Sequence, residues 1–450
     1  MATALLLAAY GSDDDQPPPC PTLVVVNRAR TDLVEASRCI AMSVQSDRSL
    51  LWPWFLVGFG FLALAFSTRA ALGLIMPVWD SELGWTRSFV SGAGAAALIV
   101  MAGIAPFAGR LVDRYGPRVA LTVGLAALSV GCFTVALTSD RLIFLIFYSL
   151  ISALGFGIVA THVVSTAVAR TFRRNQGLAI GVATSGATAG QFVIVPVIAA
   201  ILTYAGWRWS FAGLGLASML LVPILWWLLA ARGQGPARSG TDPVSGTSLL
   251  ADVIGLWKRP AFHALFWSFL LCGYTTTGVI ETHFLPYASF CGFAPLPSAT
   301  AYGVLSAVNM AGMIWAGWLT DRMNRPLLLG TIYLVRALTF ILLINVGASL
   351  ETLFIFAAMF GAVDYATVPI TASLVASHLG LRVMGLAMGM IASGHAIGGA
   401  AGAFLGGYLF DLYAHYDWIW FSSIGLAVLA GLIVFLLRDR PAVEPASATA

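Results

Sequence analysis

Two stretches of this chain repeat each other at a distance of 208 residues: Gly109–Arg118 reads GRLVDRYGPR and Gly317–Arg325 reads GWLTDRMNR. The echo extends beyond these loops. At the same offset Arg174, Gly177, Leu178, Ala179, Gly181, Ser185, Gly186 and Gly190 match Arg382, Gly385, Leu386, Ala387, Gly389, Ser393, Gly394 and Gly398. One fixed offset shared by basic loops and by glycine spacing is the trace of an internal duplication, and a duplicated membrane unit points to a transporter made of two halves.

The apolar runs around these loops decide the solvent. The 450 residues are 59% hydrophobic and 10% charged, with mean hydropathy +0.87, whereas soluble domains carry about 25% charged residues. Runs longer than about 18 apolar residues recur, each long enough to cross a bilayer as a helix. Five scattered cysteines show neither metal spacing nor a disulfide framework. The chain has no phosphate-binding glycine-lysine loop and no catalytic cluster, which excludes ATP hydrolysis as the energy source and gives no sign of an enzyme. No cofactor, metal, nucleic acid or obligate protein partner is expected.

Residues 1–50 hold an acidic run, a proline run and no sustained helical period, so a disordered segment is expected there; Met42 is an alternative start. Twelve spans then follow. The first six run at roughly 52–78, 88–109, 119–138, 141–168, 177–203 and 209–231. The second six run at roughly 262–288, 299–319, 326–347, 352–376, 384–410 and 418–437. The expected organisation is a first six-helix unit at 51–231, a cytoplasmic linker at 232–261, a second unit at 262–438 and a disordered tail at 439–450. Within the linker Leu249, Leu250, Val253, Ile254 and Trp257 fall on one helical face, as in a helix lying on the membrane surface; an ordinary connector is equally consistent.

With both termini placed in the cytoplasm, nineteen of the 24 Lys and Arg residues lie on the inner side and only Arg87, Arg141 and Arg208 on the outer. That bias sets the orientation. Arginine vastly outnumbers the single Lys258, the mark of a GC-rich genome, so a bacterial inner membrane is the expected location.

In GRLVDRYGPR, Gly109 and Gly116 permit a tight turn between two spans. Asp113 is the one acid in a basic loop and can pair with an arginine or face the positive end of a neighbouring helix. Such contacts would form when the inner side shuts and break when it opens. The alternative is that the arginines only fix topology. The second copy, with Asp321 and Arg322 in the places of Asp113 and Arg114, favours gating.

The Gly-x-Leu-x-Asp-Arg loop, repeated in the second half, resembles the signature of the major facilitator superfamily. GWTRS at Gly84–Ser88, FRRNQGLAIGVATSGATAG at Phe172–Gly190 and HFLPYA at His283–Ala288 resemble its monocarboxylate and oxalate/formate branch. The resemblance covers about 52–438. It implies an all-α polytopic membrane protein of twelve transmembrane helices in two pseudo-symmetric six-helix bundles. Spans 1, 4, 7 and 10 would line a central cavity, and transport would proceed by alternating access. One departure stands out: that branch places an arginine or lysine in the eighth span, and here AYGVLSAVNMAGMIWAGWLT has neither. Asn309 is its one strongly polar side chain, which leaves a small monocarboxylate less firmly implied as substrate.

Ionisable groups within spans are costly and mark function by default. Arg69 lies seventeen residues past Trp52, about 26 Å along a helix, in the outer third of span 1. Glu281 and His283 reach a similar level in span 7. Arg69 could receive an anionic substrate group while Glu281 or His283 carries a coupled proton; alternatively, Arg69 and Glu281 form a salt bridge that closes the outer gate. Asp364, midway along span 10, suits a proton carrier, or else pairs with Arg336. His162 and His395 are weaker candidates, more often packing than ligand.

The sequence thus predicts a secondary transporter that moves a small organic anion, a carboxylate by preference, with protons, in the lipid bilayer. An exporter of amphipathic or drug-like compounds and a non-transporting sensor are the alternatives.

Overall fold

The structure is a computed structural model that describes residues 58–76, 78–85, 87–172, 175–230, 249–293, 295–347 and 349–439. The expectations for 1–50, for most of the 232–261 linker, for all but the first residue of the 439–450 tail, and for Arg173 and Arg174 lie outside these residues.

A chain this apolar has no water to hydrogen-bond its backbone, so each crossing must satisfy its own N–H and C=O groups as a helix. Ten helices among the described residues are long and apolar enough to cross a membrane. Gly92–Leu137, with 46 residues, would be about 69 Å long if straight, twice a hydrocarbon core of about 30 Å. It is not straight. Gly116 leaves helical geometry at φ 82°, ψ 168°, just ahead of Pro117, and turns the chain inside the first motif loop. Pro260–Phe290 is also helical throughout, as Pro260–Gly273, a wider π-helical stretch Tyr274–Ile280, and Glu281–Phe290.

Polar side chains mark where helices begin. Asp140 accepts from the N–H of Leu142 and Ile143, and Asn324 accepts from that of Leu327. Between helices, lipid supplies no hydrophobic drive, so close packing of small residues does the work. The duplicated glycines make this contact in exchange. A Cβ on Gly109 would fall on the Gly385 carbonyl, and one on Gly177 would fall on the Gly317 carbonyl. A turn deeper, Gly389 packs on Ala105 and Gly181 on Met313. Every partner in one set lies 208 residues from its counterpart in the other. Gly186 and Gly190 do something different: they pack on Phe59 and Ala63 of the first described helix.

At the end opposite the motif loops, aromatic clusters fill the space between helices. Trp79 stacks on Phe211 with ring centres 5.7 Å apart and meets Phe144 edge-on at 5.0 Å. Tyr287 meets Trp420 at 5.0 Å in a second cluster.

Candidate functional site

Two spans break at the same depth. The Arg141–Thr171 span widens to a π-helix at Phe147–Ser152, then leaves helical geometry at Val159 and Ala160 before resuming at Thr161. The Leu350–Leu379 span stops at Val363 and resumes at Thr367. Both resumed half-helices start at mid-span and run toward the motif loops. Their positive N-terminal ends, Thr161 and Thr367, therefore border a common cavity of about 90 Å³. Arg69, His162, Asp364, Tyr365 and His395 line it, with Phe66, Phe269, Cys272, Thr276 and Thr277.

The charges converge as their depth along the sequence suggests. Arg69 Nη2 lies 3.5 Å from Glu281 Oε2, and the Tyr365 hydroxyl donates to Glu281 Oε1 at 2.8 Å. The arginine also sits 5.0 Å over the ring of Phe66. The pair is not sealed: its side chains remain 23% and 21% exposed.

Asp364 does not pair with Arg336 through its carboxylate. The Arg336 guanidinium, fully buried, instead donates to the main-chain carbonyls of Val363 (2.7 Å) and Asp364, and reaches Cys272 Sγ at 2.8 Å. These carbonyls stand at the end of a stopped helix, and the arginine replaces the missing turn. Asn309 supports the same break: its amide donates to Asp364 Oδ2 at 2.9 Å, and its carbonyl accepts from the Tyr365 N–H at 3.2 Å. Two atoms bordering the cavity then lack partners. Asp364 Oδ1 and His162 Nε2 are buried with no hydrogen bond.

The other histidines differ. His395 lines the cavity and meets the Thr276 hydroxyl at 3.3 Å. His283 turns away from it, with Nε2 3.1 Å from the Ala403 carbonyl and its ring against Gly406. Glu281 is thus the group of that pair placed beside Arg69.

The motif loops meet at one end of the molecule. Asp113 accepts from the N–H groups of Gly385 and Leu386 at 2.9 and 2.8 Å. Asp321 accepts from those of Gly177 and Leu178 at 2.7 and 2.9 Å. Each carboxylate thus caps a helix start belonging to the other copy of the repeat. Arg170 bridges to Asp113 and donates to the Leu381 carbonyl at 2.8 Å. Because Arg170 holds Asp113 and Gly177, shortly after it, holds Asp321, both loops share one end. Arg114 and Arg322 lie outward, over the rings of Tyr115 and Trp318; the cation on Asp113 is Arg170.

The sequence reading passed over a further acid. Asp252, on the helix Leu249–Trp257, bridges Arg110 of the first loop and Arg382 (3.2 Å), which precedes the Met384–Tyr413 helix. Asp252 and Leu256 turn inward, while Leu250, Ile254 and Trp257 stay exposed. Asp252 is the only acid in SLLADVIGLWKR, which was the available signal.

Burial shows which end is shut. Every residue from 177 to 190 is buried, and so is every residue from 367 to 379, whereas none from 191 to 197 is. The motif end is packed closed.

The sequence profile described as Major Facilitator Superfamily matches residues 55–347 and 314–450. An uncharacterized MFS-type transporter, YcxA of Bacillus subtilis, is 23% identical over 86% of this chain and 96% of its own. Monocarboxylate transporter 13 of Bos taurus is 24% identical over 84% of this chain and 88% of its own. Among solved structures, the proton:xylose symporter XylE superposes with TM-score 0.66 at 16% identity, over 86% of this chain and 96% of its own, a likeness of fold alone. A multi-pass helical membrane chain whose paired motif loops meet at one end, matched along nearly its whole described length, belongs to the major facilitator superfamily and moves small solutes across a membrane as a secondary transporter.

Proposed function

We propose that this protein carries a small organic anion, a carboxylate, together with a proton by alternating access. The observation that carries the reading is the part-exposed Arg69–Glu281 pair, whose arginine lines the cavity. A pair serving only to close a gate would be sealed; this one keeps 23% and 21% of its side chains exposed, and its arginine faces the cavity. An incoming carboxylate can displace Glu281 from Arg69. The site would then hold one cation and two anions, a net charge that is costly to carry through a low-dielectric interior. A proton on Glu281, with Tyr365 still at its side, restores neutrality. One anion and one proton therefore cross together.

The cavity volume of about 90 Å³ falls far below the roughly 300–1,000 Å³ typical of drug-sized ligands, which favours a small solute over an amphipathic one. Similarity to a monocarboxylate transporter agrees with this class. Counting the two arms of Gly92–Leu137 separately and adding Pro260–Phe290 supports twelve helices in two six-helix bundles, at 51–231 and 262–438. The arginine bias supports cytoplasmic termini in a bacterial inner membrane, so the shut end is the cytoplasmic one.

Counterflow of short carboxylates in proteoliposomes tests the carrier, and an imposed pH gradient tests the coupling. Glu281→Gln is expected to keep anion exchange but lose accumulation driven by the gradient. Gradient-driven uptake by Glu281→Gln would remove the proton role.

Asp252 acts on the closed end. Asp252→Asn weakens its hold on Arg110 and Arg382 and should favour opening there. Alkylation of a reporter cysteine at the buried position Ala387 should accelerate about tenfold, since weakening one hydrogen bond to a charged group costs roughly 1.5 kcal/mol and each 1.4 kcal/mol is a tenfold change. Unchanged alkylation would mean that Asp252 has no part in closure.

A further inference from the structure

The helix Leu249–Trp257 and the residue after it present three faces. At the α-helical turn, Asp252 with Leu256, Leu250 with Ile254 and Trp257, and Gly255 with Lys258 point in directions roughly 120° apart. The first face is buried against the motif end, where Asp252 holds Arg110 and Arg382. The second is apolar and uncovered: Leu250, Ile254 and Trp257 are 67%, 45% and 43% exposed. The third is open. Nothing lies within 4 Å of a Cβ on Gly255, and Lys258, whose N–H still bonds the Ile254 carbonyl, is exposed.

A helix that meets protein, hydrocarbon and water at once needs this division. Its apolar face is continuous with that of a span. The Trp257 ring packs on Phe262 and Phe266 of Pro260–Gly273, both at 5.5 Å, and Phe266 meets the exposed Trp267 at 5.2 Å. Leu250, Ile254 and Trp257 therefore extend the lipid-facing surface of that span at its end, the headgroup level, where tryptophan is favoured. Lys258 borders the apolar face on its water side. It is the one lysine of the chain, a point charge on a flexible stem that can reach a phosphate. Its neighbour Arg259 donates instead to the carbonyls of His378 and Leu379. The one acid of the segment, Asp252, lies on a different face, so the charge offered to the bilayer is positive. A zwitterionic headgroup brings its own cation to that lysine; an anionic one does not.

We propose that Leu249–Lys258 is a docking site for an anionic phospholipid of the leaflet at the motif end, with an acyl chain against Leu250, Ile254 and Trp257 and the phosphate at Lys258. The site is independent of the solute that the cavity carries. The lipid seats on a face completed by the packing of Trp257 on Phe262 and Phe266, so its binding favours the seated helix. Through Asp252 on the same helix, an anionic leaflet then favours the shut motif end.

The test places the photocrosslinker benzoylphenylalanine at Ile254 of the full-length protein, in bilayers of phosphatidylcholine with a minor share of phosphatidylglycerol. Phosphatidylglycerol adducts should exceed that share about fivefold, the scale of one basic residue at an anionic surface. The same probe at Leu338, exposed within the Arg325–Ile344 span, should show no enrichment, and at Gly255 it should yield few lipid adducts. Lys258→Gln should bring the Ile254 adducts to the bulk share. Alkylation of the Ala387 reporter cysteine should be about fivefold slower with phosphatidylglycerol than in phosphatidylcholine alone, and Lys258→Gln should remove the difference. Ile254 adducts in the bulk ratio of the two lipids, or enrichment that survives Lys258→Gln, would overturn the headgroup site. Adducts to a second copy of the chain in place of lipid would overturn the lipid assignment. Equal alkylation in both bilayers would overturn the link to closure.

Discussion

Arg69→Ala is expected to lose uptake by at least about a hundredfold, and Arg69→Lys to recover little of it. Truncating one member of a desolvated charge pair costs roughly 2–5 kcal/mol, and each 1.4 kcal/mol is a tenfold change. In this site the loss falls twice. The substrate carboxylate has no cation to meet, and Glu281, 3.5 Å from the missing guanidinium, loses its neutralising partner. Lysine restores the charge but not the planar fork that can touch the substrate, Glu281 and the face of Phe66 together. Combining Arg69→Ala with Glu281→Gln should return thermal stability without returning uptake, which separates folding from binding. Near-normal counterflow by both Arg69→Ala and Arg69→Lys would end the anion proposal, and the pair would then be a structural contact.

Gly109→Val should also silence transport about a hundredfold, by a route that leaves the cavity intact. The space for its Cβ is occupied by the Gly385 carbonyl, a backbone atom that no rotamer change can move aside. Overpacking typically costs about 1–3 kcal/mol when side chains can adjust; here the two helices must separate. The separation also draws Gly385 and Leu386 away from Asp113, at the same seam. The motif end would then stay open, so a cysteine at Ala387, fully buried in the closed form, should be alkylated rapidly in this variant and slowly in its parent. Gly213→Ala, with no atom within 4 Å of the new methyl group, serves as the control and should transport normally. A Gly109→Val protein that transports at the parental rate would show that closure does not pass through this contact.

The repeat was legible because it is written in residue types that sequence alone displays: glycine, aspartate and arginine at a constant offset. The depth of charges was legible as well, since helix rise converts position into height and placed Arg69 and Glu281 at one level. Direction around the helix was harder. Glu281 and His283 are two residues apart, and such pairs do not face the same way on a helix. One had to turn from Arg69, and His283 does. The breaks at Val159–Ala160 and Asp364–Ala366 were not legible. Neither carries proline or glycine; the second is held open by Arg336 and Asn309, which arrive from helices distant in sequence. Arg170 and Asp252 were missed for a related reason. Their importance comes from which loops they join, and that is a property of tertiary packing.

The crossed capping by Asp113 and Asp321 carries a historical consequence. Each copy of the repeat supplies one carboxylate and one pair of amide hydrogens, and accepts the same set in return. That is the self-complementary pattern of a twofold interface between identical subunits. A single ancestral unit, before any fusion, could therefore have sealed against a second molecule of itself with no new residue, and joining the two genes needed only to tether a lock already in place.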